Sequence, residues 1–152
     1  MGGAPITPSP NGTDTIRLTI GSRLELLSMV HAVISQISRQ YELSEETENA
    51  LLIAVIEAGT NAIQHGNCFA SEKKVEFEFR VRPEEIVIEV DDFGTGFDPG
   101  KVDDPTDEST LLNPHGRGLY LMRELMDEVA FDVREDNGTR VRLRKLRVSE
   151  TG

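Results

Sequence analysis

Hydrophobic and polar positions follow two different periods along this chain, and each change of period predicts an element boundary. Residues 15–21 alternate apolar and polar side chains, which is typical of a half-buried strand. Residues 22–40 repeat apolar side chains at helical spacing, so an amphipathic helix is predicted there. A second helix is predicted from Ser44, a good capping residue, to His65, with Gly66 as its stop.

The second half of the chain predicts two hairpins separated by a long irregular stretch and a helix. Strand-like alternation on both sides of Pro83 predicts one hairpin, and Asn137-Gly138 supports the tight turn of another. Between them lies a stretch with five glycines and three prolines, a composition typical of a functional loop. The predicted ranges are 73–81 and 84–92 for the first hairpin, 91–118 for the irregular stretch, 118–129 for the third helix and 130–146 for the second hairpin.

This order of elements predicts the fold class. Strands and helices that are grouped in this way favour an α/β (α+β) two-layer sandwich, a mixed sheet with helices on one face. The length of 152 residues suits one domain. We assign residues 1–14, rich in Pro, Gly and small polar side chains, to a disordered tail, residues 15–146 to the domain and residues 147–152 to a C-terminal tail.

Charge and cysteine content narrow the class of protein. The formal net charge of -11 argues against direct nucleic-acid binding, because phosphate contacts need clustered Lys and Arg. The acidity suits a basic protein partner, although it also serves solubility alone. Cys68 is the single cysteine, and neither a signal peptide nor a membrane-spanning segment is predicted. We therefore expect a soluble cytoplasmic protein that has no membrane partner.

Three short motifs carry candidate chemistry. They are Glu57-x-x-x-Asn61 near the end of the second helix, Asp92-x-Gly94-x-Gly96 after a strand, and Gly116-x-Gly118 at the start of the third helix. Each glycine motif taken alone is more often an ordinary turn. Glu57 and Asn61 lie one helical turn apart among apolar or small neighbours, so this polar stripe is predicted to face a cavity. His65 continues the four-residue step, and a helix-end role is favoured for it over catalysis.

Each motif suits one part of a nucleotide. The carboxylate of Asp92 is able to accept a hydrogen bond from an exocyclic amine, which distinguishes adenine from guanine. Glycines allow the backbone to approach a base or a phosphate, and the N–H groups at the start of the third helix form a phosphate seat. Asn61 offers an oxygen ligand to Mg²⁺, and Glu57 is left to take a proton.

Together the motifs resemble the N, G1 and G2 boxes of the GHKL ATP-binding superfamily, with the irregular stretch in the place of its ATP lid. Within the superfamily the chain resembles the RsbW and SpoIIAB type of anti-sigma factor serine/threonine-protein kinase over residues 15–146, including "EAGTNAIQHG", "VDDFGTGFDP" and "HGRGLYLMRELMDEV". The resemblance implies a Bergerat-type fold, ATP and Mg²⁺ as cofactors, and phosphorylation of an anti-anti-sigma (STAS-domain) partner. It also implies sequestration of a sigma factor and formation of a homodimer.

The resemblance assigns roles residue by residue. Glu57 corresponds to the general base and Asn61 to the Mg²⁺ ligand, while Asp92 corresponds to the residue that reads adenine. The remaining nucleotide-site positions are Gly94, Gly96, Gly116, Arg117 and Gly118, with Thr139 near the base. Where some members have a lid arginine this chain has Asn113, Pro114 and His115, so Arg117 and Lys101 are both left as candidates for the γ-phosphate contact.

A different class of protein fits the same motifs. A nucleotide-binding, partner-binding module without significant kinase activity would share the fold, and the presence of Glu57 speaks against it. A sensor histidine kinase domain would need an attached helix pair, for which residues before Thr15 offer no pattern.

Overall fold

The computed structural model describes residues 12–94, 114–134 and 138–147, with side chains from residue 118 onward in the second range. The predicted N-terminal tail up to residue 11, Gly96, Lys101 and nearly all of the predicted lid lie outside the described residues. The helices and strands, numbered in chain order, are β1 (Asp14–Gly21), α1 (Leu27–Gln40), α2 (Glu45–Asn61), β2 (Lys74–Val81), β3 (Glu85–Asp91), α3 (Pro114–Leu125), β4 (Glu128–Val133) and β5 (Thr139–Leu146).

The five described strands form one sheet in the order β1-β2-β3-β5-β4. Every neighbouring pair is antiparallel, so the prediction of a mixed sheet is wrong in this respect. A single helix between β3 and β4 favours a parallel pair, and these two strands do run in the same direction because both are antiparallel to β5. They are not neighbours, however, since β5 lies between them.

The helices cover one face of this sheet, as predicted, and the core lies between the two layers. The inward side chains of α1 and of the three central strands are almost fully buried, because each element alternates apolar and polar positions in its own period. The largest of these buried side chains are Phe77, Phe79, Ile34, Leu51, Ile63, Ile86, Ile88, Met122 and Leu143. No helix in the described ranges is both long and apolar enough to span a bilayer.

The opposite face of the sheet carries a ladder of ion pairs. Arg140 contacts Glu89 at 3.0 Å and Asp91 at 2.8 Å, and Glu89 is also paired with Arg80 from β2. The side chain of Arg140 is 42% exposed, so solvent screens its pairs and their contribution to stability is small. The ladder makes this face polar, which leaves the helical side as the apolar face of the sheet.

The ends of α2 explain how the helix is placed. Its N-terminus is capped as predicted, because the Ser44 hydroxyl accepts a hydrogen bond from the Thr47 N–H at 3.0 Å. After Asn61 the helix widens into one π-helical turn, Ala62–Gly66, and the Asn67 N–H donates to the Ala62 carbonyl at 2.8 Å. Gly66 is thus the last helical residue, one position beyond the predicted end at His65. The wider turn interrupts the four-residue step, and His65 is exposed rather than aligned with the Glu57 stripe.

The third helix has the predicted length but is shifted by four residues. It begins at Pro114 and not at Gly118. It ends at Leu125, and the chain is already in β4 from Glu128, whereas the helix was predicted to reach Val129. Local sequence favours the helix, but the backbone N–H of Asp127 donates to the Arg144 carbonyl at 2.9 Å and starts the pairing with β5. Tertiary pairing therefore overrides the helical pattern.

Candidate functional site

One cluster of predicted site residues lies where the end of α2 meets the start of α3. A Cβ atom added to Gly118 would lie 2.7 Å from Glu57 Oε2 and 3.9 Å from Asn61 Nδ2. Gly118 is buried, and both polar side chains are partly buried. The absence of a side chain at Gly118 is what lets α3 approach this closely, so the structure brings the first and third motifs together.

A second cluster surrounds Asp92, directly after the last residue of β3. The residue is only 6% exposed. Asp92 Oδ1 accepts hydrogen bonds from the Thr139 N–H at 3.0 Å and from the Gly94 N–H at 3.1 Å. Within the described part of the chain no hydrogen bond reaches Oδ2. One carboxylate oxygen is thereby fixed by the protein, and the other is left to accept from a ligand.

The electrostatic state of Asp92 follows from its surroundings. Burial raises the pKa of its carboxyl above the ordinary value, and the nearby charge of Asp91 acts in the same direction. The hydrogen bonds from Thr139 and Gly94 and the charge of Arg134 lower the pKa and partly offset the burial. Burial removes Asp92 Oδ2 from bulk water, and no described residue donates to it. A ligand that donates a hydrogen bond to this oxygen would therefore stabilise the carboxylate.

Thr139, which the resemblance puts near the base of the nucleotide, lies beside Asp92 in the structure. Its N–H donates to Asp92 Oδ1, and its carbonyl accepts from the Asp92 N–H at 3.0 Å. The Thr139 hydroxyl is buried and has no hydrogen-bond partner among the described residues. An unpaired buried hydroxyl is costly, so this atom is available to a ligand or to a bound water.

Two glycines form the wall next to this carboxylate. A Cβ atom on Gly66 would overlap the Asp92 carboxyl group, and one on Gly94 would overlap the Gly66 carbonyl. Gly94 was predicted to let the backbone approach a base or a phosphate, and that role stays a prediction; in the structure it packs closely against the Gly66 carbonyl. Gly66 was predicted only as a helix stop, and its contact with Asp92 was missed because it joins residues far apart in sequence.

Other residues near the site also escaped prediction. Arg134 lies with its guanidinium 4.4 Å from the centre of the Phe93 ring, and its Nη1 donates to the Asp92 carbonyl at 3.3 Å. Asn67 is 2% exposed and accepts a hydrogen bond from the Phe93 N–H at 2.8 Å. In the sequence, only Gly66, Gly94 and Asn67 gave any signal for these contacts around Asp92 and Phe93.

The remaining predicted residues are described in part or not at all. Gly116 and Arg117 lie in the first turn of α3, and their side chains lie outside the described residues. The start of this helix faces the Glu57 cluster through Gly118. Gly96 and Lys101 remain sequence predictions.

Comparisons with known proteins agree with this geometry. The family model described as a histidine kinase-like ATPase domain matches residues 20–145. The chain is 30% identical over 141 residues to serine-protein kinase RsbW of Bacillus subtilis (strain 168), covering 89% of this chain and 87% of the relative. It is 35% identical over 142 residues to serine-protein kinase RsbW of Bacillus pumilus (strain SAFR-032), with 88% and 86% covered.

A solved structure shares the fold. The crystal structure of the RsbU and RsbW domains of Rv1364c from Mycobacterium tuberculosis superposes with a TM-score of 0.64 at 16% identity. The match covers 90% of this chain and 33% of that longer chain. With the family model, the site geometry and the RsbW relatives in agreement, this chain belongs to the histidine kinase-like ATPase domain family and resembles its RsbW members.

Proposed function

We propose that this protein is an ATP- and Mg²⁺-dependent serine/threonine-protein kinase that acts on a STAS-domain anti-anti-sigma partner. The observation that carries the proposal is the packing of Gly118 against Glu57, since it places a carboxylate beside the helix whose first turn, just before Gly118, suits phosphate. The names of the relatives, serine-protein kinase RsbW, support the same activity.

Three features around Asp92 support an adenine nucleotide as the ligand. Asp92 Oδ2, to which none of the described residues donates, suits the exocyclic amine of adenine, which guanine lacks at that position. The unpaired hydroxyl of Thr139 offers a further polar contact beside it. Gly66 and Gly94 let the backbone pack directly against the Asp92 carboxyl and against each other, which fixes the position of the carboxylate. The residues present therefore fit the base of ATP.

The other cluster supports the phosphates and the metal. The backbone N–H groups in the first turn of α3, around Gly116 and Arg117, suit anionic oxygens. Asn61 would supply a protein oxygen to Mg²⁺, an ion that keeps most of its coordination for phosphates and waters. ATP bound with Mg²⁺ would supply the phosphoryl group for transfer.

Glu57 acts on the acceptor in this proposal. Its carboxylate takes the proton of the partner's serine or threonine hydroxyl as that oxygen forms its bond to phosphorus, and ADP leaves. A partly buried carboxylate at the end of a rigid helix holds its position, which favours this role.

The partner-switching role extends the proposal. A net charge of -11 favours basic partner surfaces, and we propose that a sigma factor and a second copy of this chain are further partners. No direct contact with nucleic acid or membrane is needed for these roles, and the cytoplasm is the compartment in which they would meet.

The decisive experiment mixes the purified protein, ATP, Mg²⁺ and the STAS-domain protein encoded nearest to it, then searches the STAS protein for phosphoserine or phosphothreonine by mass spectrometry. A STAS protein with alanine at the modified residue is the control. Phosphate on the wild-type STAS protein alone supports the kinase. Tight ATP and STAS binding without any transfer would replace it by the alternative, a nucleotide-dependent binding module.

A further inference from the structure

Asn67 lies directly after the π-helical turn and is buried to 2% exposure. Its Nδ2 donates to Ser22 Oγ and to the Lys74 carbonyl, each at 2.9 Å, and its Oδ1 accepts from the Phe93 N–H at 2.8 Å. Ser22 Oγ in turn donates to the Lys73 carbonyl at 2.7 Å. Both amide hydrogens and the amide oxygen are therefore paired, which fixes the orientation of this side chain.

The partners of Asn67 come from three separate parts of the fold. Ser22 follows β1, Lys74 begins β2, and Phe93 lies just beyond β3. The main chain at Asn67 is continuous with Gly66, against which the Asp92 carboxyl packs. A single side chain thus ties the wall at Gly66 to the backbone that carries Asp92.

The backbone after β3 lies beyond the paired register of β3 and β5, and individual hydrogen bonds hold it, including one from Arg134 Nη1 to the Asp92 carbonyl at 3.3 Å. Three consecutive N–H groups each have a defined acceptor: Asp92 donates to the Thr139 carbonyl, Phe93 to Asn67 Oδ1, and Gly94 to Asp92 Oδ1. The middle bond comes from Asn67 alone. Without it, the N–H of the peptide that joins Asp92 to Phe93 loses its acceptor, and this peptide loses its hydrogen bond to the segment that carries Gly66.

We propose that Asn67 is a positioning residue for base selectivity: its buried amide holds Asp92 Oδ2 at the place where an exocyclic amine is recognised. The inference rests on the proposed function, in which Asp92 recognises adenine. It adds Asn67 as the residue that makes this recognition selective. Asn67 itself does not touch the nucleotide.

The test compares two nucleotides that differ only in the recognised group. Calorimetry with Mg²⁺ measures the dissociation constants of ATP and of purine riboside triphosphate, which lacks the exocyclic amine. In the wild type we expect ATP to bind about 10- to 100-fold more tightly, the usual worth of a hydrogen bond to a charged group. Asn67→Ala should bring this ratio close to one.

Asn67→Asp is the conservative variant, because it keeps an oxygen acceptor for the Phe93 N–H while losing the Nδ2 donors. It should retain most of the selectivity ratio that Asn67→Ala loses, even if both lower stability. Gly59→Ala is the control for stability alone, since its Cβ would meet Leu27 and Phe77 in the core and should leave the ratio unchanged. In an Asp92→Asn background, Asn67→Ala should no longer change the ratio.

A wild-type ratio in Asn67→Ala would overturn this inference and leave the proposed function standing. Equal binding of the two nucleotides by the wild type would overturn both, because no selectivity would exist to be set. If Asn67→Ala does not fold, Asn67→Leu takes its place, since it keeps about the volume of the amide and removes the acceptor of the Phe93 N–H; an unchanged ratio there would also contradict the inference.

Discussion

Substituting Gly66 with alanine tests the contact between the π-helical turn and Asp92. Gly66 does not adopt a left-handed backbone conformation, so alanine is not strained there by its φ angle. The added methyl group would overlap the Asp92 carboxyl and lie 2.9 Å from Asp92 Cβ. The three atoms nearest to the added methyl group all belong to Asp92, the residue that we propose recognises adenine.

The loss of stability in Gly66→Ala depends on whether the Asp92 carboxylate or the backbone moves to make room for the methyl group. If the carboxylate turns aside, it loses a hydrogen bond from the Thr139 or the Gly94 N–H, worth roughly 1.5–3 kcal/mol for a charged acceptor. If the carboxylate stays, the backbone must shift, and overpacking of this kind costs roughly 1–3 kcal/mol. Because the protein adopts the less costly response, we expect the free energy of unfolding to fall by about 2 kcal/mol.

Urea denaturation and ATP calorimetry together check this prediction. The denaturation midpoint should fall without a change in m-value, and the dissociation constant for ATP should rise by about 10- to 100-fold because Asp92 Oδ2 is displaced. Gly59→Ala is the matched control: its Cβ would lie 2.8 Å from Leu27 Cδ2, so stability should fall while ATP affinity is kept. Wild-type stability together with wild-type ATP affinity in Gly66→Ala would refute the reasoning.

Three further predictions concern single side chains. Asp92→Asn should weaken ATP binding by roughly 1.5–3 kcal/mol. The same substitution should stabilise the free protein at neutral pH. Burial raises the pKa of Asp92, so the folded state binds the proton more tightly than the unfolded state, and the stability from this group is lost as pH rises through the raised pKa. Calorimetry and urea denaturation at acidic and neutral pH check both effects. Asn61→Ala should remove most of the Mg²⁺ dependence of ATP affinity, which a calorimetric titration with and without Mg²⁺ measures. Burial and the hydrogen bond to Asp14 raise the pKa of Tyr41 from 10.0 to about 12. An absorbance titration in a Tyr120→Phe background should therefore show tyrosinate near pH 12. The stability that Tyr41 contributes below pH 10.0 should be lost between pH 10.0 and about pH 12.

Local signals in the sequence predicted much of this site. The cap at Ser44 and the four-residue step from Glu57 to Asn61 depend on residues within one helical turn, so periodicity was enough to identify them. Asp92 was placed at a strand end by the alternation that precedes it. The positions of these features are confirmed where the structure describes them. Gly118 does pack against Glu57, although the helix begins at Pro114 and not at Gly118 as predicted.

Local sequence patterns could not predict contacts between residues that are far apart in the chain. Asn67 and Phe93 are 26 positions apart, and Asn67 and Ser22 are 45 apart, so no local pattern marks their hydrogen bonds. Ser22 was read as the first residue of a helix, although its hydroxyl serves this network before the chain turns into α1. The insertion of β5 between β3 and β4, which makes the sheet antiparallel, is likewise a matter of tertiary pairing.

The measurement that tests the central claim most directly is the single-turnover rate of phosphoryl transfer to the STAS partner by Glu57→Gln. The variant keeps the size of the side chain beside Gly118 and removes its ability to take a proton. We predict unchanged dissociation constants for ATP and the partner, with transfer slower by about 10²- to 10⁴-fold. Transfer at the wild-type rate would contradict the assignment of Glu57 as the base and, with it, the account of how this site works as a kinase.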